Sequence, residues 1–187
     1  IVVQSHANRR KRLLLADMDS TIVVGETLDE LAYFAGLKEE VATITERAMR
    51  GEIDFKSALR ERVSMLKGLS ANALEESLNK TKLTKGASTL VKTMRANGAY
   101  TVLVSGGFSF FTQAIAKIVG FNEDRSNTMI IENGALTGEI AEPILDRDAK
   151  LETLKTISKE KGIPLVDTIA VGDGANDLPM ILNAGIG

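Results

Sequence analysis

Two aspartates one residue apart, Asp17 and Asp19 in "KRLLLADMDSTIV", stand at the end of an apolar run. Carboxylates this close repel each other and are costly to desolvate, so their place at the tip of a hydrophobic segment needs a reason. One reading is a surface pair that caps the following turn. The other is a divalent cation site in which one carboxylate also performs chemistry. Magnesium prefers oxygen ligands, keeps several waters and needs only one or two carboxylates besides phosphate oxygens. A further carboxylate is available in "VGDGAND", from Asp173 or Asp177. The stretch "SGGF", 105–108, adds the Ser105 hydroxyl, and Gly106 and Gly107 let a ligand approach the backbone closely. A helix behind that turn offers free N–H groups to an anion. Lys150, in "DRDAKLETL", lies near a helix start, where its charge opposes the helix dipole, and it can point back at the same edge.

Together these groups suit phosphoryl transfer, which demands positioning and electrostatic stabilisation of the equatorial oxygens. One carboxylate attacks and forms an acyl phosphate, splitting hydrolysis into two easier steps. The carboxylate two residues on protonates the leaving alcohol and later activates water. That role calls for a raised pKa, which a neighbouring negative charge and partial burial would supply.

The elements that must position these groups follow from the hydrophobic pattern. Residues 13–16, 100–104 and 168–171 are short continuous apolar runs, as strands buried on both faces of a parallel sheet require. Each ends in one of the polar or glycine-rich turns, and helical spacing follows the second and third. The predicted class is α/β, a doubly wound and mostly parallel sheet, with ligands at the carboxyl ends of its strands. Between the first two strands lie helical stretches at 27–35, 38–50, 54–67 and 71–80, punctuated by Gly36, Gly51 and Gly68, with Asp54 and Ser70 as N-caps. They predict a helical cap, 25–81, inserted into a core formed by 11–24 and 82–187, with residues 1–10 as a linker or tail. A helix at 86–97 returns to the sheet. Residues 127–141 read as an antiparallel hairpin turning at Asn133-Gly134, and 148–161 as a helix. The final "LNAGIG" reads as a helix end entering another strand, so the sheet is expected to continue past residue 187.

Composition narrows the functions. With 44% hydrophobic and 26% charged residues the chain is an ordinary globular protein. A formal net charge of -2 gives no electrostatic case for nucleic acid or a membrane surface. The basic run "RRKR" at 9–12 reads as a solvated lead-in. Without cysteine there is no thiolate chemistry and no Cys-held zinc, and His6 is the one histidine. No apolar run approaches the roughly 20 residues needed to span a bilayer. The expected location is the cytoplasm.

In this order, "DMDST", "SGGF", a later lysine and "GDGAND", with helices inserted after the first motif, resemble the haloacid-dehalogenase-like phosphatases. The likeness runs from about residue 11 and is nearest to the members that hydrolyse O-phosphoserine in serine biosynthesis. The resemblance implies Asp17 as nucleophile, Asp19 as general acid and base, and Ser105, Gly106, Gly107 and Lys150 around the phosphate. It implies Mg²⁺ held by Asp17, the Asp19 backbone carbonyl and Asp173, with Asn176 and Asp177 completing the surroundings. Phosphoserine carries an ammonium and a carboxylate, and Glu26 and Arg62 match the family's positions for those charges, the arginine fork suiting a carboxylate. Met49 and Phe55 match the apolar lining of that pocket. The expected partner is a small phosphomonoester, with the chain a monomer or homodimer. Two other readings stay open: the same chemistry on another small phosphomonoester, and a phospho-accepting signalling module of the receiver type.

Overall fold

The structure, a computed structural model, describes residues 6–187 apart from the side chains of Met49 and Arg147. In chain order it runs β1 (Leu13–Asp17), α1 (Thr27–Phe34), α2 (Lys38–Met49), α3 (Phe55–Met65), α4 (Ala71–Lys80), α5 (Ala87–Ala96), β2 (Tyr100–Phe108), α6 (Ser109–Val119), β3 (Glu123–Asn127), β4 (Met129–Glu132), β5 (Ala135–Ile140), α7 (Arg147–Glu160), β6 (Thr168–Val171) and α8 (Leu178–Asn183). Four parallel strands form the main sheet in the order β3-β2-β1-β6. The predicted apolar strands take its two centre positions and one flank. At the end of the described chain, Ile186 makes a single parallel bridge to Ile169.

Alternation along β1 divides the core. Leu13 and Leu15 pack with Val102, Val104, Leu154, Ile157 and Met180 on the face covered by α7 and α8. Leu14 and Ala16 pack on the other face with Leu103, Val91 of α5 and Phe111 and Ile115 of α6. Side chains two residues apart share a face, so Asp17 follows Leu15 toward α7. The strand that buries its leucines thus aims its terminal carboxylate at the helix carrying Lys150.

The edge strand β3, Glu-Asp-Arg-Ser-Asn, is absent from the sequence reading. It carries no apolar run, because an edge strand needs only backbone pairing on one side, and its Asp124 and Ser126 share the Thr112 hydroxyl. The hairpin expected over 127–141 forms as β4 and β5, turning at Asn133 and Gly134, both with positive φ.

Helices α1 to α4 follow the predicted spans closely. Asp54 caps α3 by accepting from Ser57 N, and Ser70 caps α4 by accepting from Asn72 N. The apolar faces of α1, α3 and α4 (Leu28, Leu31, Leu59, Val63 and Leu74) join the cluster on the α5–α6 face. The chain enters and leaves this helical segment side by side: Val23 and Leu83 form an antiparallel bridge, and Val24 N donates to Lys82 O. At the far end the hairpin grips it, since Gly68 N donates to Leu136 O, Leu136 N to Leu69 O and Ala71 N to Gly134 O. Arg10 and Lys11 of the basic lead-in donate to the carbonyls of Asn97 and Val166, so this run ties down the bottom of the sheet.

The hairpin meets α3 at Gly138. Its φ is +83°, and a Cβ there would lie 3.0 Å from Lys67 Cβ and 3.2 Å from the Ser64 carbonyl. Gly98 has a similar φ of +81° with open space around it. In urea unfolding, Gly98→Ala should cost about 1 kcal/mol of backbone strain, and Gly138→Ala about 1–3 kcal/mol more from overpacking. Equal costs at the two positions would show that the hairpin does not press on α3.

Candidate active site

Lys150, on the first turns of α7, is 2% exposed and lies between two carboxylates. Its Nζ donates to Asp17 Oδ1 at 2.7 Å and to Asp177 Oδ1 at 2.6 Å. Burial pulls the ammonium toward neutrality, but the two aspartates outweigh it and hold the lysine above its usual value. Burial pushes the Asp17 carboxyl up to about 7; Lys150 opposes the rise, and the Asp177 and Asp19 charges add to it. Asp177 is fully enclosed, its Oδ2 accepting from the backbone N–H groups of Asp173 and Gly174. Gly172 is needed for this approach, since a Cβ there would stand 2.4 Å from Asp177 Cγ.

After β1 the chain turns sharply, with Ser20 in the left-handed region at φ +53°. This turn brings Asp19 over the end of β2. Asp19 Oδ1 accepts from the N–H and the hydroxyl of Thr27, both at 2.8 Å, and Oδ2 accepts from Ser105 Oγ at 3.1 Å. Ser105 Oγ in turn accepts from Gly107 N at 2.8 Å. A Cβ on Gly107 would come within 3.0 Å of both Asp19 Oδ2 and Ser105 Oγ, so glycine is what lets these groups converge. The Asp19 pKa is raised, as expected for an acid, but the largest cause is burial, opposed by the bonds from Thr27 and Ser105. Of the two causes expected, burial is the one that leads.

The same turn connects the other charges. Ser20 Oγ donates to Glu26 Oε1 at 2.7 Å, and Thr21 Oγ1 to Asp173 Oδ1 at 2.6 Å. A cleft of about 600 Å³ opens here, lined by Asp17, Asp19, Ser105, Gly106, Gly107, Asp173 and Asn176 from the sheet edge. Glu26, Asp29, Phe55, Leu59 and Arg62 line it from the helical side. The Phe55 ring covers Gly106, 3.2 Å from where a Cβ would stand. Arg62 is half-buried; burial lowers its pKa, and the Asp29 and Glu26 charges work against that. Glu26 keeps access to solvent, yet partial burial raises its carboxyl, with the Ser20 bond opposing the rise and nearby aspartates adding to it. A second concavity of about 540 Å³, at Val24, Glu30 and Lys80–Lys82, shares only Glu26 and Thr27 with this cleft and holds none of its sheet-edge groups.

Oxygens of Asp17, Asp173 and Asp177 lie within 4.8 Å of one another, a grouping that suits a metal ion. Both Asp177 oxygens are already bonded, whereas Asp17 and Asp173 each keep one oxygen without a hydrogen-bond partner among the described residues. Four carboxylates here face one ammonium, and a hard divalent cation fits that excess of negative charge.

The structure thus gathers Asp17, Asp19, Glu26, Phe55, Arg62, Ser105, Gly106, Gly107, Lys150, Asp173, Asn176 and Asp177 at one edge. Met49 ends α2 nearby, and its side chain lies outside the described residues. The sequence reading missed Thr21 and Thr27, which hold Asp173 and Asp19, and Asp29, which faces Arg62. The adjacency of Thr21 and Thr27 to named site residues was the only signal.

Fold and site are those of a doubly wound α/β protein whose cleft opens at the carboxyl edge of its sheet. The chain belongs to the haloacid dehalogenase-like hydrolases, whose family profile matches residues 14–182. It is 48% identical over 189 residues to the phosphoserine phosphatase of Archaeoglobus fulgidus, covering all of this chain and 55% of that protein. The chain therefore spans about half the length of that relative. It is 42% identical over 178 residues to the phosphoserine phosphatase of Methanocaldococcus jannaschii, covering 95% of this chain and 84% of that one. A solved structure, the phospho-aspartyl intermediate analogue of a phosphoserine phosphatase, superposes with a TM-score of 0.86 at 42% identity, over 95% of this chain and 85% of that one.

Removing the ammonium tests the electrostatics. Lys150→Met leaves two buried carboxylates unpaired and should cost about 3–5 kcal/mol in metal-free buffer at pH 8. Folded Asp17 binds its proton more tightly than the ordinary value of 3.8 allows, so its stabilising contribution is complete below that value and is lost as pH rises through about 7. Without Lys150 the carboxyl rises further, so the deficit should shrink between pH 8 and pH 5. A deficit in urea unfolding that grows on acidification would contradict this.

Proposed function

We propose that this chain hydrolyses O-phosphoserine to serine and inorganic phosphate through an aspartyl-phosphate intermediate on Asp17. The observation that carries the reading is a single cleft lined on one side by Asp17, whose carboxylate accepts from the buried Lys150, and on the other by charges of opposite sign, Glu26 and Arg62. The substrate offers the complementary set: a phosphate, an ammonium for Glu26 and a carboxylate for the Arg62 fork. The names of the relatives support the same substrate.

In this mechanism an Asp17 oxygen attacks phosphorus as the bond from phosphorus to the serine oxygen breaks. Asp19, raised by burial, gives its proton to the departing serine oxygen. It then takes a proton from the water that attacks the acyl phosphate, releasing phosphate and restoring Asp17. Ser105, the N–H groups of the Gly106–Gly107 turn, Lys150 and Asn176 surround the phosphate oxygens. Asp17, Asp173 and the Asp19 carbonyl would hold Mg²⁺, with Asp177 orienting the loop. When bound, the ion supplies positive charge beside the phosphate. Residues 25–81 act as a cap over a core of 11–24 and 82–187, with Met49 and Phe55 excluding water. The reading takes the enzyme to be cytoplasmic, acting on a small molecule as a monomer or homodimer.

Phosphate release from phosphoserine, with Mg²⁺ and with a chelator, tests the proposal. Turnover should need the metal and should exceed that of a sugar phosphate, which lacks the ammonium–carboxylate pair; a preference for the sugar phosphate would overturn the pocket assignment. Asp19→Asn should lower kcat on phosphoserine by about 10²–10⁴-fold and act far more mildly on an activated aryl phosphate, whose leaving group needs no proton. Equal losses on both substrates would remove Asp19 from the acid role.

A further inference from the structure

Asn127 closes β3 and is 2% exposed, and none of the chemistry above uses it. Its Nδ2 donates to the carbonyls of Gly106 at 2.8 Å and Leu145 at 3.2 Å, and its Oδ1 accepts from Leu145 N at 2.7 Å. One buried amide therefore joins two segments far apart in sequence. The first is the glycine turn at the end of β2. The second leads into α7, where Asp146 caps the helix by accepting from Asp148 N and Ala149 N, one turn before Lys150.

Strand register explains why an amide is needed. Val104 pairs with Arg125 and Phe108 with Asn127, so four steps along β2 match only two along β3. Ser105, Gly106 and Gly107 bulge out of the ladder, and the Gly106 carbonyl is served by a side chain instead of a neighbouring strand. In a trans peptide the carbonyl and the following N–H point in opposite directions. Holding the Gly106 carbonyl toward β3 therefore aims Gly107 N–H the other way, at Ser105 Oγ, which reaches on to Asp19.

We infer that Asn127 is a positioning residue for phosphoryl transfer: it fixes the Gly106–Gly107 peptide and holds that turn at a set distance from the start of the Lys150 helix. This rests on the reading that the turn receives the phosphate. Asn127→Asp has nearly the same volume and keeps the acceptor for Leu145 N, but it sets a carboxylate oxygen against two carbonyls. Asn127→Ser lacks the reach to bridge them and carries the same prediction if the first variant does not fold.

The test uses the full chain well below its thermal midpoint, with phosphoserine as substrate and inorganic phosphate and L-serine as separate inhibitors. A misplaced phosphate turn should lower kcat by about 10²-fold and weaken inhibition by phosphate about tenfold, one unsatisfied hydrogen bond's worth. Inhibition by serine, held by the opposite wall, should stay within about twofold of wild type. A lowered midpoint with kcat and phosphate inhibition unchanged would make Asn127 structural only. Parallel loss of phosphate and serine binding would indicate general loosening and would equally overturn the inference. A wild-type chain with no affinity for phosphate would remove the functional reading itself, and this one with it.

Discussion

The ammonium of Lys150, enclosed between Asp17 and Asp177, is the contact on which the rest of the site depends. Each partner comes from a different part of the chain: the tip of β1, the loop after β6 and the first turns of α7. A buried ion pair of this kind is poor evidence for stability, because desolvating three charges offsets most of their attraction. Its effect is to specify geometry. The placement of α7 that satisfies the lysine goes with Asp17, Asp173 and Asp177 lying close enough to share a cation. Asp17 remains a carboxyl with one oxygen committed to Lys150 and the other open to the cleft.

Around this contact, short side chains transmit order outward. Asp177 shapes its own loop through two backbone N–H groups, Thr21 holds Asp173, Thr27 holds Asp19, and Ser20 holds Glu26. The turn after β1 thus wires the sheet edge to the entrance of the helical segment. Helix α3 shows how that segment is placed over the site. One of its sides carries Phe55, Leu59 and Arg62 into the cleft. Another meets the segment that leads into α7, with Lys56 3.1 Å from Asp146 and Arg60 paired with Glu142. Exposed pairs contribute little energy, but Asp146 is also the cap of α7. The residue that orders the Lys150 helix therefore touches the helix that carries Arg62.

Much of this was legible from residue types. Continuous apolar runs located β1, β2 and β6, and alternation along Leu13–Asp17 sends the terminal carboxylate toward α7. Glycines and caps divided α1 to α4, and Asn133-Gly134 announced the hairpin. The edge strand β3 was not legible, because its five residues are polar or charged and carry no apolar run. Asn127, Thr21 and Thr27 escaped for a related reason: their value lies in partners that only the fold supplies. The direction of the Asp19 shift and its burial were expected, but the opposing bonds from Thr27 and Ser105 come only from the fold.

The central claim is that Asp17, and not one of the three other carboxylates around it, receives the phosphoryl group. Borohydride reduction of the full chain during turnover of phosphoserine with Mg²⁺, followed by mass-spectrometric mapping, reads this directly, because an acyl phosphate is reduced and a free carboxylate is not. The account predicts reduction at Asp17 that depends on substrate. Reduction at Asp19, Asp173 or Asp177 with Asp17 intact would contradict it.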